Sequence, residues 1–195
     1  DVIRVLCMNN DIIVLQETWL SAFDLPYLTT IDADFYCKGI SSMSGDERVL
    51  SGRPFGGLAI LWRKSIGQCC SIVEYDDARL LGIELKYEGN SALIVNVYMP
   101  YDCHDNVDEF HYYLNKMNDI IEEFGHPHVF LMGDFNANVS PNNVSNFGNV
   151  LQTYCKDESL TIADAQMLDA NTFTFVSSAH NTYSWLDHVD RKSVV

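Results

Sequence analysis

Three apolar runs in this 195-residue sequence break off abruptly into residues that can do chemistry. Leu15 is followed by Gln16 and Glu17; Leu93-Ile94-Val95 passes into Asn96-Val97-Tyr98; and Val129-Phe130-Leu131-Met132 ends in Gly133-Asp134-Phe135-Asn136. In sheets that carry helices on their faces, active sites gather at strand ends, because the strand fixes position while the loop beyond it is free to change. Glu17, Asp134 and Asn136 are therefore candidate site groups, with Tyr98 beside them. Carboxylates of this kind can hold a divalent cation, which then supplies local positive charge. Taken one at a time, each residue has a plainer reading, the carboxylates as caps of the next turn and Tyr98 as a core aromatic.

The elements that must position these groups follow from periodicity. Val2–Leu6 is apolar at 2, 3, 5 and 6 and runs to Asn9-Asn10, the tail of a helix. Asp11–Leu15 is a short β-branched run bounded by turn formers, a buried strand. Residues 21–54 are expected to be irregular, with an exposed loop over 41–52. Strands are predicted at 57–62, 71–75, 80–86 and 92–98. From Asp105 the spacing changes to threes and fours through Val107, Phe110, Leu114, Met117, Ile121 and Phe124, a helix with Asp105 as N-cap and Gly125 just past its end. Residues 129–132 form another strand, and 172–176 with 183–189 read as a hairpin joined by 177–181. With no internal repeat and no linker, the chain reads as one mixed α/β domain over 1–195.

Composition narrows the class. Hydrophobic residues are 47% and charged residues 20%, which excludes a disordered or collagen-like chain. Lys and Arg number 12 against 27 Asp and Glu, a net charge of −15, the wrong sign for a protein that grips nucleic acid through a broad basic surface. A phosphodiester-cleaving enzyme is not excluded, since a cation held by carboxylates changes the local sign. The 6 cysteines include no C-x-x-C pair and are read as reduced thiols. No apolar run reaches the roughly 18–20 residues of a membrane span and no signal peptide is visible, which points to nucleus or cytoplasm. His126 and His128 flank Pro127, with His104 and His111 nearby, but nothing stands at zinc-ligand spacing. The first residue is not methionine, and the chain reads as an excerpt.

The joint phrasing carries more than any single residue. Asp11-Ile-Ile-Val-Leu-Gln-Glu-Thr-Trp19, Gly56-Gly57-Leu-Ala-Ile, Leu93-Ile-Val-Asn-Val-Tyr-Met-Pro-Tyr-Asp102, Phe130-Leu-Met-Gly-Asp-Phe-Asn136 and Thr182-Tyr-Ser-Trp-Leu-Asp-His188, in this order, resemble the endonuclease/exonuclease/phosphatase superfamily. The Leu-Gln-Glu-Thr-Trp and Ser-Trp-Leu-Asp phrases are most similar to the apurinic-type endonuclease domain of non-LTR (LINE-type) retrotransposons.

The resemblance implies a four-layer α/β sandwich, two mixed β-sheets face to face and flanked by helices, truncated here at both ends. It implies metal-assisted phosphodiester hydrolysis with Mg²⁺, or Mn²⁺, as cofactor. In that frame Glu17 matches the metal-binding glutamate, Asp134 the aspartate that orients or deprotonates the attacking water, and Asn136 a donor to phosphate or to Asp134. Tyr98 matches the tyrosine facing the scissile phosphate, and Asp187 the aspartate that orients a catalytic histidine. The chain departs from the family in lacking a first strand with its asparagine and the closing Ser-Asp-His phrase, so the 195 residues alone are expected to be inactive or nearly so. His188, where the family more often has tyrosine, reads as a packed or surface residue. Arg53 and Arg79 read as loop or phosphate contacts. The implied partners are a DNA substrate and a reverse transcriptase in the same polyprotein, with no membrane. Two rivals stay open: a phosphatase or phosphodiesterase of the same fold acting on lipid or RNA phosphates, and a catalytically dead binding remnant.

Overall fold

The computed structural model describes residues 2–43, 53–125, 128–178 and 181–192. Residues 44–52 of the expected loop, His126 and Pro127, and Ala179 and His180 of the expected hairpin turn lie outside the described residues. The chain divides into two units, Asp1–Tyr98 and Met99–Val195.

In the first unit α1 (Val2–Asn9) leads to β1 (Ile12–Leu15), β2 (Phe35–Ile40), β3 (Leu58–Arg63), β4 (Cys70–Glu74), β5 (Leu80–Tyr87) and β6 (Asn90–Tyr98). β3 runs antiparallel between β1 and β2, and β5 antiparallel between β4 and β6. The two sheets meet over Leu58 and Ile60 of β3 and Leu81 and Ile83 of β5. On its other face β3 buries Ala59 and Leu61 with Cys7 of α1 and with Leu28 and Ile31 at the 3₁₀ turn that follows Asp24. A strand covered on both faces must be apolar at consecutive positions, which is why Leu58–Leu61 shows no alternation.

β2 lies inside the stretch expected to be irregular. Lys38 and Gly39 break its apolar pattern, and both answer to neighbours rather than to the strand itself. The Lys38 ammonium donates to Glu74 at 2.7 Å, and any side chain at Gly39 would meet Leu28 Cδ1 at 2.5 Å. An edge strand of this kind is chosen by what packs on it, not by propensity.

One polar side chain crosses the core of this unit. Asn96 of β6 is fully buried, donates its amide to the carbonyls of Leu15 and Ala59 at 3.0 Å each, and accepts from the Gln16 amide. It thereby ties β6 of one sheet to β1 and β3 of the other.

In the second unit the 3₁₀ turn His104–Asn106 precedes α2 (Val107–Phe124), so Asn106 takes the N-cap position expected for Asp105. Phe110, Tyr113, Leu114, Met117, Ile120 and Ile121 bury one stripe of α2, and Gly125 closes it in the left-handed conformation. β7 (Val129–Asp134), α3 (Asn146–Asp157), β8 (Leu160–Ile162) and α4 (Ala163–Met167) follow, then β9 (Phe175–Ser177), β10 (Thr182–Ser184) and β11 (Asp187–Lys192). β11 pairs antiparallel with both β7 and β8, and α2 meets α3 through Phe110 and Phe147, ring centroids 4.1 Å apart.

The expected hairpin is shorter than its pattern. Only β9 and β10 pair with each other, because buried Trp185 ends the hairpin and redirects the chain into β11. Its backbone N–H donates to Asn138 Oδ1 at 3.0 Å, and Thr174 Oγ1 accepts from the next two backbone amides. All six cysteines are free thiols, and among the described residues no helix is long and apolar enough to cross a membrane.

β11 turns His188 and Asp190 to its buried face. Asp190 Oδ2 accepts from the Cys155 thiol at 3.5 Å, while its Oδ1 and the Tyr154 hydroxyl are buried with no hydrogen-bond partner among the described residues. Burial pushes the Asp190 carboxyl up to about 7; the charge of His188 and the Cys155 thiol pull it down in part, and Asp164 pushes it up.

Two predictions follow from these buried polar groups. Asn96→Ala strands two carbonyls and opens a small cavity, so it should lower the unfolding free energy by about 3 kcal/mol in urea titrations with an unchanged slope. Asp190 holds its proton to about 7 when folded but only to the ordinary 3.8 when unfolded. The folded state therefore binds more protons between those values, and stability falls as pH rises through that window, by on the order of a few kcal/mol. Unfolding measured from pH 4.5 to 6 should show this decline in the parent chain and lose it in Asp190→Asn; parallel curves would disprove it.

Candidate active site

The end of β1 is built by backbone, not by the carboxylate it carries. Thr18 N–H donates to Gly57 O at 3.2 Å and Trp19 N–H to Gly56 O at 2.9 Å, which extends the β1–β3 pairing past Leu15. Glu17 and Trp19 both adopt positive φ, at 50° and 55°, a conformation that costs a non-glycine residue and is held only where the surroundings impose it. Gly56 and Gly57 make the approach possible. A Cβ on Gly57 would lie 2.5 Å from Thr18 Oγ1, and one on Gly56 2.5 Å from Ser42 Oγ. Gln16 on one side bonds to Asn96, so Glu17 leaves a fixed point of the core and reaches the surface.

There Glu17 Oε1 accepts from the Tyr98 hydroxyl at 2.5 Å. Arg79 holds the other end of Tyr98, donating to its carbonyl at 3.2 Å with the guanidinium 5.3 Å from the ring centre. Arg53 stands 5.1 Å over the Trp19 ring. The two arginines thus steady aromatic side chains next to Glu17.

In the second unit, Asp134 and Asn136 form one hydrogen-bonded group. The Asn136 N–H donates to Asp134 Oδ1 at 2.8 Å, and its side-chain amide lies 3.4 Å from Oδ2 while donating to Met99 O at 2.9 Å. Met99 N–H in turn donates to Asp134 O at 2.9 Å. Gly133 takes φ 145°, a value side chains rarely allow, and Asn136 takes 50°. Between the two polar residues Phe135 is fully buried, so the motif is anchored by its aromatic and presents its carboxylate and amide together.

Asp187 is the register partner of Asp134 across the β7–β11 pairing, and its carboxylate is exposed. Its neighbour His188 faces the opposite way, as alternation along a strand requires. The imidazole is buried, with Nδ1 3.0 Å from Asp164 Oδ2 and Nε2 2.9 Å from Ala137 O. His188 is thus a packed residue. His104, His111 and His128 are exposed.

The structure therefore brings Glu17 to Tyr98, and Asp134 to Asn136 with Asp187 opposite. It adds two residues that sequence reasoning did not place in the site. Asn96 had a signal, a lone amide inside the apolar run Leu93–Val97. Asp164 had none, since nothing in the linear order of residues ties it to His188, 24 positions later. For a hard cation, the donor present in the first unit is the exposed carboxylate of Glu17, bonded to a phenol. Mg²⁺ is commonly held by one or two carboxylates together with waters and substrate phosphate, and such a donor set fits it. Among the described residues no group of three or more His, Cys, Asp or Glu side chains gathers closely enough to cage an ion unaided.

Comparison with known proteins bears on the fold and the family. A 3′ phosphatase from Neisseria, solved with a product DNA hairpin, superposes with a TM-score of 0.71 at 16% identity, covering 98% of this chain and 80% of its own. An AP endonuclease from Leishmania major gives 0.68 at 13%, covering 98% and 72%. The endonuclease domain of TRAS1, a telomere-specific non-LTR retrotransposon, gives 0.66 at 14%, covering 98% and 77%. At such identities the likeness is one of fold, the α/β sandwich expected above. No curated protein matches in sequence. The profile of the Endonuclease/Exonuclease/phosphatase family matches residues 1–189, and the chain belongs to that family.

Proposed function

We propose that the chain is a Mg²⁺-dependent endonuclease that nicks DNA, working within a longer retrotransposon polyprotein that also carries a reverse transcriptase. The observation that carries this reading is the Asp134–Asn136 group. A carboxylate held by a backbone N–H at 2.8 Å has a set direction, which is what a base needs to take the proton of an attacking water. Asn136 keeps that direction, with its side-chain amide on the Met99 carbonyl at 2.9 Å and 3.4 Å from the second carboxylate oxygen of Asp134. Tyr98, set by Glu17 and Arg79, presents its hydroxyl to the phosphate, and Asp187 orients a histidine supplied by the longer polypeptide. Glu17 is the residue that would hold the cation, which supplies positive charge against the charge that develops on the phosphoryl oxygens. An acidic chain depends on that ion, because it has little basic surface with which to meet a polyanion.

The wording Leu-Gln-Glu-Thr-Trp and Ser-Trp-Leu-Asp favours DNA nicking over other substrates. A second reading, removal of phosphate from nucleic-acid ends, is favoured by the likeness in fold to the 3′ phosphatase. Supercoiled plasmid and a 3′-phosphorylated oligonucleotide, offered side by side, separate the two.

In the chain extended at both ends through the asparagine strand and the Ser-Asp-His phrase, Asp134→Ala should slow plasmid nicking by at least ~10²-fold with little change in unfolding temperature. Full Mg²⁺-dependent nicking by that variant would remove Asp134 from the mechanism. Glu17→Gln exchanges a charged oxygen for a neutral one, so it should raise the Mg²⁺ concentration for half-maximal rate by about tenfold or more. An unchanged Mg²⁺ dependence would place the cation elsewhere.

A further inference from the structure

The imidazole of His188 is buried between two oxygens. The Ala137 carbonyl at 2.9 Å can only accept, so Nε2 carries a hydrogen; the Asp164 carboxylate at 3.0 Å, when ionised, can only accept, so Nδ1 carries one too. With both nitrogens donating, the ring is an imidazolium, and a buried charge of this kind persists only when it is paired and fully hydrogen-bonded. Asp164 has its second oxygen occupied as well, by the Val189 N–H at 3.0 Å. Burial works against charge on both groups, but the His188 contact and the Val189 N–H hold the Asp164 carboxyl below its usual range. The bonds to Asp164 and Ala137, with the nearby charges of Asp164 and Asp190, likewise raise His188.

Three elements meet in this contact: α4 through Asp164, β11 through His188, and the turn after β7 through Ala137. Ala137 follows Asn136 directly, and Asn136 is the residue whose N–H fixes the Asp134 carboxylate. On the far side, Asn138 accepts from Trp185 N–H at 3.0 Å. The groups facing the ring are Asp164 from α4 and Asp190 from its own strand, with Cys155 and Tyr154 of α3 around Asp190 and the rings of Phe135 and Trp185 as apolar neighbours.

We propose that His188 is a positioning residue: held by Asp164, it grips the Ala137 carbonyl and so sets the backbone from which Asn136 aims the Asp134 carboxylate. The roles of Asp134 and Asn136 in this statement rest on the phosphodiesterase reading, whereas the grip itself does not. Loss of the Nε2–H···O bond frees the turn, and a displacement near 1 Å at a reacting group can cost about 10²-fold in rate.

The test uses His188→Gln and the milder Asp164→Asn, each checked for folding by thermal unfolding. Histidine-labelled NMR of the parent should show hydrogens on both ring nitrogens of His188 at pH 6, with Asp164→Asn lowering the pH at which one is lost. The Asn136 amide should shift and lose exchange protection in both variants. Where the extended chain cleaves plasmid, kcat should fall about 10- to 100-fold with KM within about twofold, and the alkaline limb of the rate profile should move to lower pH in Asp164→Asn. If the parent cleaves nothing, the functional reading fails while the NMR measurements still decide the grip. A single ring hydrogen on His188 in the parent, or an Asn136 amide indifferent to both variants, would overturn the proposal. So would an unaltered kcat in a folded, active variant.

Discussion

A carboxylate at the end of a strand is useful only if the strand does not move, and in the first unit that immobility comes from the side chain of Asn96. Hydrophobic packing of Leu58 and Ile60 on Leu81 and Ile83 holds two sheets together but is indifferent to small sliding, because contact between aliphatic groups has no preferred direction. Hydrogen bonds do. The Asn96 amide meets one carbonyl on β1 and one on β3, and its oxygen meets Gln16, so the register between the sheets is fixed at the point where β1 ends. Everything beyond follows from that point: the positive φ of Glu17, the close approach of Gly56 and Gly57, and the bond from Tyr98. A buried amide with all three bonds made is compatible with a core where an unsatisfied one would not be.

The second unit meets the same requirement with charge. Asp134 and Asn136 sit on a tight turn whose glycine and asparagine adopt positive φ, and such a turn needs outside support. Phe135 supplies it by burial, Trp185 by redirecting the chain into β11, and the Asp164–His188 pair by grasping the next carbonyl. A buried ion pair is a weak contributor to net stability, since its desolvation offsets much of the attraction. Its value lies in direction: it defines where a backbone oxygen stands. Asp190, inward on the same strand with one unpartnered oxygen, shows how little room this interior leaves for a further charge.

The chemistry open to such a scaffold is set by the residues at its strand ends, not by the sandwich. Proteins sharing this fold include phosphatases and endonucleases, and a common architecture does not select among them. In the reading proposed above, the selection rests on the phrases around Glu17 and Asp187.

Much of this was legible in the linear order of residues. Glu17, Tyr98, Asp134 and Asn136 stood out because each follows an apolar run at a sharp boundary, and burial against water writes that boundary directly into the sequence. α2 was legible for the same reason, a buried stripe repeating every three or four residues. β2, α4 and the true extent of the β9–β10 hairpin were not, because what places them lies elsewhere in the chain: Gly39 answers to Leu28, Asp164 to His188 and Trp185 to Asn138, while α3 carries only a short stripe, Phe147, Leu151 and Cys155, that Gly148 and Asn149 weaken. His188 marks the division most clearly. The sequence determined that it lies beside Asp187 on a strand and faces the other way. Only the tertiary structure decided that it meets Asp164, 24 residues earlier, and the carbonyl of Ala137, 51 residues earlier, because partners for a buried charge are found in space and leave no period in the chain.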